Sequence, residues 1–121
     1  MILVDTPVWV DHLRVGDEEL AGLLNNARVL THPFVVGELA CGNLRKRREV
    51  LALLQHLPQA PMATDTEALF FIERHRLMGR DIGYIGVHLL TAASLTGSAR
   101  LWTRDKRLAE VAAALRLAHK G

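Results

Sequence analysis

The sequence predicts an α/β fold with a mostly parallel central sheet, because short apolar runs alternate with segments whose apolar residues have helical spacing. The runs Ile2–Val4 and Ala99–Thr103 are typical of strands buried on both faces. With 121 residues, the chain has about the size of one ordinary domain. We therefore expect a single domain over residues 1–121.

Four elements are predicted in the first third of the chain. After the first strand, Thr6 as N-cap and Pro7 at the first helical position predict a helix start, which puts a strand-to-helix turn at Asp5. An acidic first turn followed by spaced leucines predicts a helix over Asp17–Asn26. Arg28–Thr31 is a candidate strand.

The middle of the chain is predicted to be helical. Phe34–Gly42 is an apolar helix that carries one acid, and Arg45–Leu57 is a more amphipathic one. Thr64 and Glu67 have the spacing of a capping box, and the helix that they open is expected to end at about Met78.

The last third begins with a glycine-rich loop. A nearly all-apolar helix is expected over Val87–Thr96, with Gly86 at its start. After the second buried strand, we expect a helix over Asp105–Ala114 and a last strand over Leu115–Ala118.

Composition narrows the function classes. Lys and Arg number 15 and Asp and Glu 13, a net charge of +2 that argues against a protein that simply coats nucleic acid. The single cysteine, Cys41, excludes an internal disulfide and a cysteine-based zinc cluster. Neither a signal peptide nor an apolar run of about 18 residues is evident, so we expect a cytoplasmic protein without a membrane span.

Three acids are candidates for one divalent-metal site. Asp5 directly follows the first strand and Asp105 follows the strand ending at Thr103, and sites in parallel sheets form beyond these carboxyl ends. Glu38 has apolar neighbours, where a carboxylate needs a cation or hydrogen bonds. Mg²⁺ or Mn²⁺ prefers such oxygen ligands and can activate water for phosphodiester cleavage. Alternatively, each Asp only caps the following helix, and Glu38 only pairs with an arginine.

Four segments together resemble a PIN domain of the VapC toxin type, over essentially the whole chain. They are Ile2–Thr6, Pro33–Leu39, Gly83–Leu90 and Leu101–Leu108. The resemblance implies a three-layer α/β/α sandwich and a Mg²⁺-dependent endoribonuclease toxin that is inhibited by an antitoxin and is usually a homodimer. It also implies that Asp5, Glu38 and Asp105 are the acids of the site, and that the Thr103 hydroxyl supports it.

The chain departs from this family at Gly86, where an aspartate normally serves as a metal ligand. Glycine offers no side-chain oxygen, so we expect weak or absent activity with the fold and antitoxin binding retained. Asp81, five residues earlier, is a possible substitute, although its default interpretation is a solvated loop acid. His88 points about 200° away from Gly86 on a helix and is expected to be a core or surface histidine.

Basic residues supply candidate RNA contacts in two places. Arg104, Lys106 and Arg107 flank Asp105, and the densest basic run follows Glu38. That run consists of Arg45, Lys46, Arg47 and Arg48, which alternatively form an ordinary solvated helix face.

Two other functions compete with the ribonuclease. One is a non-catalytic PIN-like module that sequesters antitoxin or RNA. The other is a phosphoacceptor domain, which also places an aspartate at a strand end, but such domains have paired acids where Asp5 is followed by Thr6 and Pro7.

Overall fold

The computed structural model describes residues 1–120, which form seven helices and three strands. In chain order these are β1 (Ile2–Val4), α1 (Thr6–Val15), α2 (Glu18–Asn25), β2 (Val29–Leu30), α3 (Pro33–Cys41), α4 (Arg47–His56), α5 (Asp65–His75), α6 (Gly83–Thr96), β3 (Arg100–Trp102) and α7 (Lys106–Ala114). The helices and the sheet form a three-layer α/β/α sandwich, as predicted.

The sheet is parallel with the strand order β2-β1-β3. Leu3 in the central strand is in register with Leu30 on one side and Leu101 on the other. All three residues of β1 are buried, which explains its continuous apolar sequence. Parallel order brings the carboxyl ends of β1 and β3 to one edge, so residues that follow these two strands meet there.

The core surrounds the sheet and is completed by α6. That helix has an unbroken buried stretch from Gly86 to Ala93. Trp9 of α1, Leu54 of α4 and Leu89 of α6 are fully buried. Because α6 lies inside the protein, its apolar residues are not confined to one face, unlike those of a surface helix.

Several helix ends differ from the prediction. Asp5, not Thr6, is the N-cap of α1, since the Asp5 carboxylate accepts the N–H of Thr6, which is the first helical residue. Helix α4 begins only at Arg47, because Lys46 is left-handed. The capping box of α5 is present, but the helix ends at His75.

Two predictions in the last third also need correction. Helix α6 starts at Gly83, so Gly86 lies within its first turn and not ahead of it. The predicted strand Leu115–Ala118 is reduced to one isolated parallel bridge between Leu101 and Ala118, because Leu115 still caps α7 and leaves too few residues for a ladder. No helix in the described residues is long and apolar enough to cross a membrane.

Candidate active site

Asp5 is the buried acid at the carboxyl edge of the sheet. Its side chain is 7% exposed, and its backbone N–H donates to the carbonyl of Trp102 at 2.9 Å. The N–H of Thr6 donates to Asp5 Oδ1 at 2.8 Å, and the Thr103 hydroxyl donates to Oδ2 at 2.7 Å. The position directly after the central strand and the two donors therefore fix the carboxylate.

Thr103 connects this acid to Asp105. While its hydroxyl donates to Asp5, its Oγ1 accepts the backbone N–H of Asp105 at 3.1 Å. Asp105 is the N-cap of α7, where its Oδ1 accepts the N–H groups of Arg107 at 3.0 Å and Leu108 at 3.2 Å. The Thr103 side chain thus joins the ends of β1 and β3 in a supporting position.

Glu38 reaches the same edge from α3. Its Oε1 accepts the hydroxyl of Thr6 at 2.8 Å. The interpretation of Glu38 as a buried carboxylate is wrong, since its side chain is exposed, as is that of Asp105. The apolar neighbours of Glu38 do not bury it, because α3 turns a different face, with Val35 and Leu39, towards the core.

Electrostatics single out Asp5 among the three acids. Burial raises the pKa of Asp5, and the negative charges of Glu38 and Asp105 raise it further, while the hydrogen bonds from Thr103 and Thr6 lower it. Two other carboxylates are thus near enough to disfavour ionisation of a buried one. A cation among them would relieve this repulsion.

The residues present fit a divalent ion that keeps most of its own water. Within residues 1–120, no group of three or more His, Cys, Asp and Glu side chains is arranged to hold a metal ion. Mg²⁺, however, commonly binds through one or two carboxylates and completes its shell with water and substrate phosphate. Asp5 and Asp105 can supply such carboxylates, so the donors suit the ion but form no finished cage.

Gly86 leaves the first turn of α6 without an acid. A Cβ built on Gly86 would lie 3.2 Å from Cδ1 and 3.4 Å from Cδ2 of Leu108. Leu108 is buried on α7, one turn after Asp105. The space next to Gly86 is therefore occupied by an apolar side chain, and a larger residue there requires Leu108 to shift by a few tenths of an ångström.

Neither nearby candidate substitute fills this position. Asp81 is exposed and forms an ion pair with Arg107, so it is not merely solvated. His88 is buried and has Phe34 and Tyr84 in edge contact, with ring centroids 4.9 and 4.6 Å away. His88 is thus a core histidine, as expected.

The basic candidates have different surroundings. Arg47 donates to the carbonyls of Ala40 at 2.6 Å and Gly42 at 3.3 Å, which caps α3. Arg104 pairs with two acids, and Lys106 is exposed. The remaining three members of the basic run are also exposed: Arg45, Lys46 and Arg48.

A groove of ≈ 950 Å³ lies beside Glu38, between α1, α3 and α4. Its lining combines the apolar residues Val10, Leu13 and Leu53 with basic residues that include Arg45. Such a surface suits a partner with both apolar and acidic groups.

Sequence reasoning missed Thr6 as a site residue. Its side chain fixes Glu38, from which it is 32 positions away in the chain. The Asp5-Thr6 pair directly after a buried strand was the only local signal, and it was interpreted as a helix cap.

Comparison with known proteins identifies the family. The PIN domain model matches residues 2–114. Ribonuclease VapC32, from two strains of Mycobacterium tuberculosis, is 49% identical over 108 residues, which cover 89% of this chain and 87% of the relative. A chain in a structure of FitAB bound to an IR36 DNA fragment has a TM-score of 0.63 and 18% identity, covering 93% of this chain and 91% of that chain. The last likeness shows the fold alone, whereas the first two show that this chain belongs to the PIN-domain family, among its VapC-type ribonucleases.

Proposed function

We propose that the chain is an endoribonuclease toxin of a toxin–antitoxin module, with a divalent cation, Mg²⁺ or Mn²⁺, bound at Asp5 and Asp105, beside Glu38. The observation that carries this proposal is the buried carboxylate of Asp5. Thr103 connects it to Asp105 by hydrogen bonds, and the charges of Glu38 and Asp105 disfavour its ionisation. When bound, the ion would supply a water of lowered pKa and offset the charge that develops on the phosphate.

The protein's own residues would divide the remaining work. Asp5 and Asp105 would hold the ion on the edge of the sheet. Glu38 is exposed with one oxygen fixed by Thr6, so its other oxygen could accept a proton from the attacking water. Thr103 would keep both aspartates at a constant separation.

The glycine at position 86 favours the conclusion that this chain has weakened activity. Without a fourth carboxylate, the site has fewer charges with which to hold a cation, and Leu108 fills the neighbouring space. We expect weak or absent cleavage by this chain, although its fold and its surfaces for partners are intact.

RNA would be held by basic residues on both sides of the acids. Lys106 and Arg107 lie in the first turn of α7, next to Asp105, and Arg45, Lys46 and Arg48 lie beyond Glu38. Arg47 is engaged in capping α3 and is the weakest member of that set.

The partners are proposed as a cognate antitoxin and a second copy of the chain, in the cytoplasm. The groove beside Glu38 would accept an antitoxin segment, since it combines apolar and basic lining. Phe70 is 65% exposed on α5, which is consistent with a further covered face in a homodimer.

The test compares RNA cleavage by the wild-type chain, Gly86→Asp and Asp5→Asn in Mg²⁺, Mn²⁺ and EDTA. We expect weak metal-dependent cleavage that increases in Gly86→Asp and disappears in Asp5→Asn. Cleavage that persists in EDTA or in Asp5→Asn would contradict the proposal.

Gly86 also favours a second function, a non-catalytic module that sequesters antitoxin or RNA. Its test is tight RNA or antitoxin binding by a chain that does not cleave in any metal. Cleavage by Gly86→Asp together with no cleavage by the wild-type chain would then identify this chain as a binding module that keeps the nuclease fold.

A further inference from the structure

Arg104 lies between the two residues that organise the edge of the site. It follows Thr103 and precedes Asp105, in the short turn between β3 and α7. Its guanidinium contacts two acids that are far away in the sequence. Nε lies 3.0 Å from Asp11 Oδ2, and Nη2 donates to Asp17 Oδ2 at 3.0 Å. The turn is thereby attached to α1 and to the N-cap of α2.

We infer that Arg104 is a positioning residue that fixes the turn carrying Thr103 and Asp105 for cation binding, and that it is not an RNA contact. This inference rests on the proposed function of the same site. It replaces the expectation, based on sequence alone, that Arg104 meets a phosphate.

The guanidinium of Arg104 already has its partners. Asp11 and Asp17 approach it through two different nitrogens, which suits the fork of an arginine. The charge of Arg104 and its hydrogen bond also lower the pKa of Asp17, after the larger effect of the Leu20 N–H. To bind a phosphate, Arg104 would have to give up two carboxylates.

The start of α7 restrains only one end of the turn. Asp105 is held as the cap of α7, and its carbonyl accepts the N–H of Ala109 at 2.8 Å. The Thr103 hydroxyl joins the turn to Asp5, and the two ion pairs of Arg104 join it to Asp11 and Asp17. The Arg104 side chain also lies over the ring of Trp102, 5.7 Å from the centroid. The ion pairs of Arg104 are therefore further attachments of the turn to α1 and to the N-cap of α2, in addition to the bond from Thr103.

Loss of the Arg104 charge and loss of its positioning contacts have opposite expected effects on cation binding. Removing a positive charge beside a cation site would, by Coulomb attraction alone, strengthen cation binding. Loss of a positioning contact would weaken it, and contacts that orient ligands are typically worth about 10- to 100-fold in metal affinity or activity. Because the ion pairs are partly exposed, the fold should persist without them.

The experiment measures Mn²⁺ affinity by calorimetry in the otherwise wild-type chain, for Arg104→Gln, Arg104→Lys and the control Arg28→Gln. Arg28 is exposed, just before β2 at the opposite end of the sheet. We expect Mn²⁺ affinity to fall about tenfold in Arg104→Gln, to fall less in Arg104→Lys and to be unchanged in the control. Circular dichroism verifies that each variant is folded.

A second measurement uses a labelled single-stranded RNA without metal, with its affinity followed against salt. A lost phosphate contact would reduce the slope of log affinity against log salt by about 0.7, whereas a positioning residue leaves the slope unchanged. Unchanged or stronger Mn²⁺ binding in Arg104→Gln, or a reduced slope, would overturn the inference. If Mn²⁺ does not bind wild type, the proposed metal site itself fails, which is a different result.

Discussion

Asp5 and Asp105 have the same local pattern and different environments. Each follows a strand, and each caps the next helix through a side-chain oxygen. Asp5 lies at the end of the central strand, is buried and receives the Thr103 hydroxyl. Asp105 lies beyond an edge strand, is exposed and receives two helix N–H groups.

This difference shows that a cap at the start of a helix leaves part of the Asp105 carboxylate unused. Asp105 is satisfied as a cap with one oxygen, and within residues 1–120 its Oδ2 has no hydrogen bond. Asp5 is a weaker cap, but its burial makes its negative charge costly without a cation. We expect substitution of Asp5 by Asn to reduce activity while raising stability. Substitution of Asp105 by Ala should reduce both activity and stability.

The largest expected effect is that of Asp5→Asn. Asparagine keeps the cap of α1 but removes the charge at the centre of the site, so cleavage should fall at least about 100-fold, since a catalytic metal is worth several kcal/mol. Initial rates on a labelled RNA in Mn²⁺ measure this, preferably in a Gly86→Asp background. Equal loss in a Glu73→Gln control, which removes an exposed acid of α5, would show that loss of negative charge anywhere reduces cleavage and would contradict this role of Asp5.

Gly86→Asp should have the next largest effect, because it puts a carboxylate on the first turn of α6, next to Leu108 of the helix that Asp105 caps. We expect a gain in cleavage of about tenfold or more if the added carboxylate provides a second-sphere or direct contact to the ion. Gly86→Asn is the matched control, since it has the same crowding against Leu108 without the charge. A gain in both variants, or in neither, would contradict the missing-ligand argument.

Asp105 is expected to show a capping effect that Asp5→Asn does not. Asp105→Ala should lower the free energy of unfolding by about 1 kcal/mol, while Asp105→Asn should lower it by only a few tenths. Both should reduce cleavage, because both remove the carboxylate. Urea denaturation with parallel rate measurements separates the two roles, and equal stability of Ala and Asn would show that the cap contributes nothing.

The smallest effect concerns pH. Because the folded-state pKa of Asp5 is raised above its ordinary value of 3.8, folding is favoured while Asp5 is protonated, and this contribution is lost as pH rises through the raised pKa. Asp5→Asn should therefore be more stable than wild type at neutral pH, with an advantage that shrinks towards pH 3.8. Urea denaturation between acidic and neutral pH tests this, and a constant or reversed difference would show that burial of Asp5 is not costly.

The sequence was informative where the signal is local. The apolar strand Ile2–Val4, the acidic first turn of the helix near Asp17 and the capping box at Thr64 were all visible in it, because each depends on adjacent residues. The parallel direction of the sheet follows from the alternation of strands and helices.

Other features depend on distant contacts and were not predictable. Glu38 was expected to be buried, but which face of α3 meets the core is decided by packing. The partners of Arg104 lie on α1 and α2, and one of its hydrogen bonds spans 87 residues of the chain. Asp11 and Asp17 are too far from Arg104 in the sequence for the pairing to be visible there. The local cluster of basic residues therefore suggested a phosphate contact instead.

The bond from Thr103 to Asp5 joins positions 98 residues apart, which has a consequence for synthesis. The candidate site is incomplete until Thr103 and Asp105 have been made, so a growing polypeptide has the first strand of the fold long before the partners of Asp5 exist. At the usual 5–20 residues per second, about 5 to 20 s of elongation separate them. A candidate site built in this way can form only after the ribosome has passed residue 105.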